Sequence, residues 1–371
     1  SGQFFTVWLL YAIISICWVK DYFSWFKNVY FIIIGYMGIM IYSRFLNTSQ
    51  DILNALRLYI IPIIVHNLIG WYEIITNNYL FLERGSITKY TFYRLPVSMF
   101  YNTNDFATFM LFAVFITYVC AVNSENLIKK LVCWIIVVSS ILLLIRTMSR
   151  ANILGLIIAV IMFAYLNISS RTRRTKTILI CLGGLIITFF LPYFLKRILP
   201  FIKGIITLDF STSLSSDSIR LNLIKNGLYF LIRTFGFGTG AGNIEHWIEN
   251  CAIYPTDGIT NMHNWWMEIL TEFGIIIFGL FTLFYLKLLR DLYKTYKLST
   301  NRIDASLSMG ILCCLSGFVI GSVSSSSNFS QEWLWIFLAI CVAYQRVCKR
   351  KSKELKNQFN ARFCKIQEFL V

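Results

Sequence analysis

Charge is scarce in this chain. Only 14% of its 371 residues are Asp, Glu, Lys or Arg, against 57% hydrophobic residues. That excludes a soluble domain, because an interior built from this length cannot hide so much apolar surface. Strict apolar–polar alternation over ten-residue stretches is missing, which excludes a β-barrel. There is no DxD or ExD pair, no HExxH and no clustered Cys and His, so no metal site is expected, and no cofactor. The nucleophile motif GxSxG is absent too. Of the ten cysteines, nearly all fall in apolar blocks or the C-terminal tail, and Cys251 alone lies in a long polar loop, so no disulfide framework follows. The chain opens "SGQFF" without Met, the expectation being a truncation or a cloning scar.

What is present is a series of apolar blocks of about 17 to 22 residues, close to the length a helix needs to cross a bilayer. The expected fold is all-α, a polytopic transmembrane bundle forming one integral membrane domain over 1–371. Ten spans are expected near 4–19, 29–45, 55–70, 105–122, 128–145, 151–167, 177–194, 266–286, 306–323 and 333–348. Pro62, His66 and Asn67 interrupt the third.

Three segments rich in Lys and Arg set the orientation: "RTRRTK" (171–176), 287–305 and the basic tail 346–371 belong on the cytoplasmic side. Alternation then places both termini inside and gives the inner segments nearly all of the net charge of +16. The basic balance is explained by topology and anionic lipid, so no nucleic acid is expected as a partner. Two long outer loops result, 71–104 and 195–265. In the second, "SSDSIRLNLIKNGLYFLIRTFG" predicts a helix capped by Ser215, Ser216 or Asp217. Its apolar stripe would be Leu221, Ile224, Leu228, Leu231 and Phe235.

The candidate chemistry gathers on the outer side. His263 stands just before the eighth span, where an imidazole suits proton acceptance from a hydroxyl. An interfacial histidine beside a belt of Trp265 and Trp266 is the plainer alternative. Arg146 and Arg150 flank the turn between spans five and six, where a guanidinium fork suits a diphosphate or simply reaches for lipid headgroups. Arg220 and Arg233 lie at either end of the loop helix, either as anion ligands or as solvated face residues. "GFGTGAG" (236–242) follows a helix and no strand, so it is no dinucleotide fingerprint. A helix stop with a turn is one reading, and amides near a phosphate another. Gly238, Gly240, Asn264, Trp247 and Tyr254 are candidate glycan contacts, with packing as the alternative for the aromatics.

The runs "GFGTGAGNI…HNWWMEILTEFGIIIFG", "TMSRANILGL", "YNTNDFATFM" and "DSIRLNLIKNGL" together resemble the O-antigen ligase and polymerase family of bacterial membrane glycosyltransferases. The four motifs run in the expected order from about 101 to 279. The resemblance implies a multi-spanning, GT-C-like, inverting and metal-independent glycosyltransferase that uses lipid-diphosphate-linked sugars. By position, His263 matches the catalytic histidine, and Arg150 and Arg220 match the arginines that hold the donor diphosphate; Arg146 and Arg233 rest on charge and side alone. The implied setting is the bacterial cytoplasmic membrane with an active site facing outward. The implied partners are a polyprenyl-diphosphate-linked oligosaccharide, the bilayer and a chain-length regulator protein. Polymerisation of repeat units is the preferred reaction. Ligation to a lipid A core and lipid flipping without catalysis are the competing ones.

Overall fold

The computed structural model describes residues 2–82, 87–168, 216–326 and 328–369. The expected seventh span and "RTRRTK" lie outside the described residues. Among those described, the chain is helical throughout: α1 (Gly2–Ile14), α2 (Tyr22–Phe45), α3 (Ser49–Leu58), α4 (Ile60–Thr76), α5 (Ile87–Tyr93), α6 (Thr103–Val122), α7 (Leu127–Arg146), α8 (Arg150–Ile168), α9 (Ser216–Arg233), α10 (Ile244–Cys251), α11 (Trp265–Leu298), α12 (Arg302–Gly321) and α13 (Glu332–Phe369). Seven stretches are long and apolar enough to cross a membrane, with α3 and α4 counted together, and α1 adds a shorter apolar helix. This is a polytopic helical membrane protein.

Asparagine starts many of these helices, because its short side chain accepts the first unpaired amides. Asn102 accepts from Asn104 N, Asn126 from Lys129 N, Asn264 from Trp266 N and Met267 N, and Asn301 from Ile303 N. The third expected span is two helices. α3 opens with a capping box between Thr48 and Asp51, and Tyr59 joins it to α4. α4 also runs on to Thr76, six residues beyond the expected end of that span.

Among the described candidate spans α6 is the most buried, with every residue from Asp105 to Thr117 buried. Glycine lets its neighbours close in. A Cβ on Gly155 of α8 would stand 2.6 Å from the Gly317 carbonyl of α12, the close backbone approach that small residues allow between membrane helices. Trp335 of α13 fills the notch at Gly35 of α2.

The two ends of the bundle differ. At one, Asp304 takes Ser49 Oγ and Lys351 Nζ, Arg57 donates to the Asn123 carbonyl, and Arg350 donates to Asn47. At the other, the α1–α2 turn meets the glycine run. Trp18 Nε1 donates to Gly238 O at 3.1 Å, and the amides of Lys20 and Asp21 both donate to Asn243 Oδ1 at 2.8 Å.

α11 is broken at Gly274 (φ 74°, ψ −178°). The break frees carbonyls at Thr271 and Glu272 and the amide of Ile275. The glycine run takes all three: Thr239 N donates to Thr271 O (2.8 Å), Gly240 N to Glu272 O (3.0 Å), and Ile275 N to Gly236 O (2.9 Å). Glu272, buried at the break, accepts from Gly242 N and Asn28 Nδ2.

Contact at the break is backbone on backbone. A Cβ on Gly274 would lie 2.2 Å from Gly236 O, and one on Gly238 2.5 Å from Glu272 O, both at left-handed φ. Gly274→Ala is expected to cost roughly 2–4 kcal/mol, from left-handed strain plus the displaced strap. The midpoint of thermal unfolding in detergent measures this; an unchanged midpoint would show that the strap yields freely.

Candidate functional site

At the end of the bundle that carries the glycine run, a cavity of about 220 Å³ opens between α6, α9 and the segment leading into α11. His263 and Arg220 line it together, with Asn102, Thr103, Asn104 and Tyr90 as its other polar walls and Leu95, Ile219, Leu223 and Ile259 as its apolar ones. That is room for a diphosphate or one sugar ring, not for an oligosaccharide.

Arg220 and the amide end of α6 bring positive charge to it, with Asp105 the acid in the first turn of that helix. Asn102, Thr103 and Asn104 are the cap and first two residues of α6, so the positive end of that helix faces the cavity. Arg220 enters from the first turns of α9.

A polar network of side chains fixes the α6 entry. Asn104 Oδ1 accepts from Ser149 Oγ (2.7 Å), and its carbonyl accepts from Asn152 Nδ2 (3.1 Å) and Thr108 Oγ1 (2.9 Å). Asn152 Nδ2 also donates to Ser324 Oγ (3.3 Å), Thr108 pairs with Ser325, and Asp105 accepts from the amide and hydroxyl of Ser326. The Ser-Arg step and the serine run after α12 therefore clamp one wall of the cavity.

His263 sits at φ 48°, held by its amide donating to Asn261 Oδ1 (2.8 Å) while Asn261 Nδ2 donates to Glu245 (2.9 Å). Its Nδ1 is buried without a hydrogen-bond partner, which leaves Nε2 as the nitrogen for the cavity. Burial first, and the Arg220 charge second, push its pKa down from 6.5 to about 4. The imidazole is neutral at neutral pH, the state a base needs.

The other expected site residues lie elsewhere. Arg146 and Arg150 are exposed at the α7–α8 turn, and neither forms the cavity wall. Arg233 is exposed, its guanidinium 5.7 Å from the Tyr229 ring centre. Trp247 packs on Phe230 (5.3 Å) over a cluster holding Ile219, Leu223 and Met262. Tyr254 is held by its backbone to Asn226, with Lys225 Nζ 5.3 Å from its ring centre. Asn264 uses its side-chain oxygen as the α11 cap. Gly238 and Gly240 belong to the strap on α11. Each amide from Gly236 to Gly242 donates inside the chain, so the run is a splint and not a phosphate cradle.

Two further expectations need correction. Trp265 is buried and stacks on Phe329 at 4.9 Å, so it is a core residue and no interfacial anchor. The buried face of α9 holds Ile219, Leu223, Asn226, Phe230 and Leu231; of the expected stripe Leu231 is buried, Leu221 and Ile224 are half-buried, and Leu228 and Phe235 are exposed. Asn226 is the polar member of that face. Its side chain accepts from the amides of Ile253 and Tyr254 and donates to Tyr254 O, anchoring the loop that returns towards His263. An apolar count passes over a carboxamide.

Two comparisons with known proteins bear on the chain as a whole. A family model described as O-Antigen ligase matches residues 135–282, which contain Arg150, Arg220, the glycine run and His263. The chain is also 27% identical to the teichuronic acid biosynthesis protein TuaE of Bacillus subtilis (strain 168) over 359 residues, covering 94% of this chain and 72% of that one. Over residues 135–282 the chain is similar to the O-antigen ligase family. It is an integral membrane enzyme of polysaccharide biosynthesis. The walls supplied by Tyr90 and Asn102–Asn104 lie outside the matched segment. Their signal was the Asn-rich "YNTNDF" entry to α6, whose caps and hub show only in three dimensions.

An anion bound beside Arg220 would cancel the charge that helps hold His263 down, and so raise the imidazole pKa. The acid limb of kcat/KM, which reports free enzyme, is therefore expected near pH 4, and that of kcat at higher pH. Arg220→Gln should move the kcat/KM limb upward. Coincident limbs near 6.5 in all three profiles would contradict the buried, Arg-coupled imidazole.

Proposed function

We propose that the chain is an inverting, metal-independent glycosyltransferase that polymerises polyprenyl-diphosphate-linked repeat units at the outer face of the bacterial cytoplasmic membrane. One observation carries this reading: His263 and Arg220, remote in sequence, line one cavity at the positive end of α6. Orientation follows the excess of Lys and Arg, which puts the end bearing Asp304, Lys351 and Arg350 inside and the cavity outside.

In the reaction, the donor diphosphate lies between Arg220 and the first turn of α6. Arg150, following the Ser149 that bonds Asn104, adds charge at that end. The acceptor hydroxyl gives its proton to His263 Nε2 as its oxygen bonds the anomeric carbon. The bond from that carbon to the diphosphate oxygen breaks on the opposite face and its electron pair leaves with the diphosphate, so the centre inverts. Arg220 and the helix end stabilise the charge that develops there, usually the largest contribution in such transfers. The same negative charge stabilises the imidazolium as it forms, so a base with a low resting pKa gains strength when transfer demands it.

Polymerisation is preferred to ligation because a chain of surface repeats serves either type of cell envelope and ligation to lipid A only one; the relative's name refers to teichuronic acid biosynthesis. The ligase reading draws on the description of the matching family.

Protein in lipid nanodiscs, given the producing strain's lipid-diphosphate repeat unit and EDTA, tests this. Wild type should yield a ladder of products on a gel, with turnover lower by about 10²–10⁴ in His263→Ala and about 10²–10³ in Arg220→Ala. A ladder undiminished in His263→Ala would remove the base from the mechanism. Transfer only to a lipid A core acceptor would make the enzyme a ligase.

A further inference from the structure

Glu73 is fully buried in the last turn of α4, outside every motif considered so far. A carboxylate at membrane depth is costly and needs a partner. Its partners are backbone: the amides of Val97 and Ser98 both donate to Oε2 at 2.8 Å, while Oε1 is buried without a hydrogen bond.

The grip is made at a strained turn. Ser98 has φ 53°, the left-handed region, which directs two successive amides at one oxygen. The Ser98 hydroxyl meets His66 Nδ1 at 2.8 Å, and the His66 ring stacks on Phe100 at 4.9 Å. Tyr79 OH donates to the carbonyls of Tyr90 and Leu95, both at 3.0 Å. α4 thus holds Val97 to Phe100 from beneath, and Tyr79, just beyond α4, holds Tyr90 and Leu95; that segment leads straight into Asn102.

We propose that Glu73 is a positioning residue for the transfer site. It tethers the 95–101 turn to α4, so that Leu95 behind and Asn102–Asn104 ahead face Arg220 and His263. This rests on the proposed transferase function for its effect on catalysis; the tether itself does not. Glu73 touches no cavity atom, and its action is to keep one wall against the others. Released, the wall loses register with Arg220 and the substrate is bound in fewer productive poses, which raises KM before it lowers kcat.

The test compares Glu73→Leu, of similar bulk without an acceptor, with Glu73→Gln, whose carbonyl still accepts both amides. Each is made alone for kinetics and with Val97→Cys for labelling. Val97 is fully buried. Maleimide labelling at residue 97, read by peptide mass spectrometry, should be slow in the otherwise wild-type protein and with Glu73→Gln. With Glu73→Leu it should be about tenfold faster, the consequence of leaving two amides unpaired. KM for the lipid-linked repeat unit should rise about tenfold in Glu73→Leu with kcat within a few fold, and Glu73→Gln should restore it. A thiol at 97 equally protected with Glu73→Leu would overturn the tether. Faster labelling with unchanged KM would overturn the role in catalysis. Absence of turnover from wild type would count against the transferase reading, and labelling alone would then decide the tether.

Discussion

A helix inside a bilayer cannot leave backbone groups unpaired, because no water is there to take them. α11 nevertheless breaks at Gly274, and the end of the protein that bears the cavity is organised around that break. The glycine run supplies two amides and one carbonyl to the broken helix, and glycine alone allows the two backbones to come so close. Because the run is fixed there, α9 before it and α10 after it are fixed too. The α1–α2 turn locks the run from behind through Asn243. The chain then returns through the Asn226 anchor to deliver His263 to the start of the same broken helix.

The cavity depends on that circuit for one side and on buried polar side chains for the other. Asn104, Ser149, Asn152, Thr108 and the serines after α12 form a network that joins α6, α8 and the end of α12. Each group in such a network is costly if left unmatched, so the network admits few alternative packings. The outcome is a small cavity walled by a helix N-terminus, one guanidinium and one neutral imidazole. Neither side of the site is carried by a single element. Arg220 comes from a helix packed by apolar residues, and His263 from a loop pinned by asparagines.

Seven of the ten expected spans were legible in the sequence because a run of about 20 apolar residues has few other uses; 4–19 is a shorter apolar helix, 177–194 lies outside the described residues, and 333–348 is not among the seven. That His263 and Arg220 line one cavity does not follow from spacing, since 42 residues lie between them; the family resemblance alone put them together. Other features were hidden for particular reasons. The buried face of α9 includes Asn226, a carboxamide that an apolar count passes over. "GFGTGAG" has the composition of an anion loop, and only the hydrogen bonds show each of its amides occupied. Trp265 has the composition of an interfacial anchor yet lies in the core, because its amide reaches Ser322 O and its ring reaches Phe329. Glu73 was invisible as a site residue because its partners are main-chain amides, which no side-chain motif records.

On the proposed function, Arg220 and His263 hold one anionic lipid substrate between them. The most direct measurement is carbethoxylation of His263 by diethyl pyrocarbonate, followed by peptide mass spectrometry with and without undecaprenyl diphosphate. The expected result is a reactive neutral imidazole, protected by the lipid diphosphate in wild type and unprotected in Arg220→Ala. A His263 that reacts at the same rate with and without the lipid in wild type would contradict it.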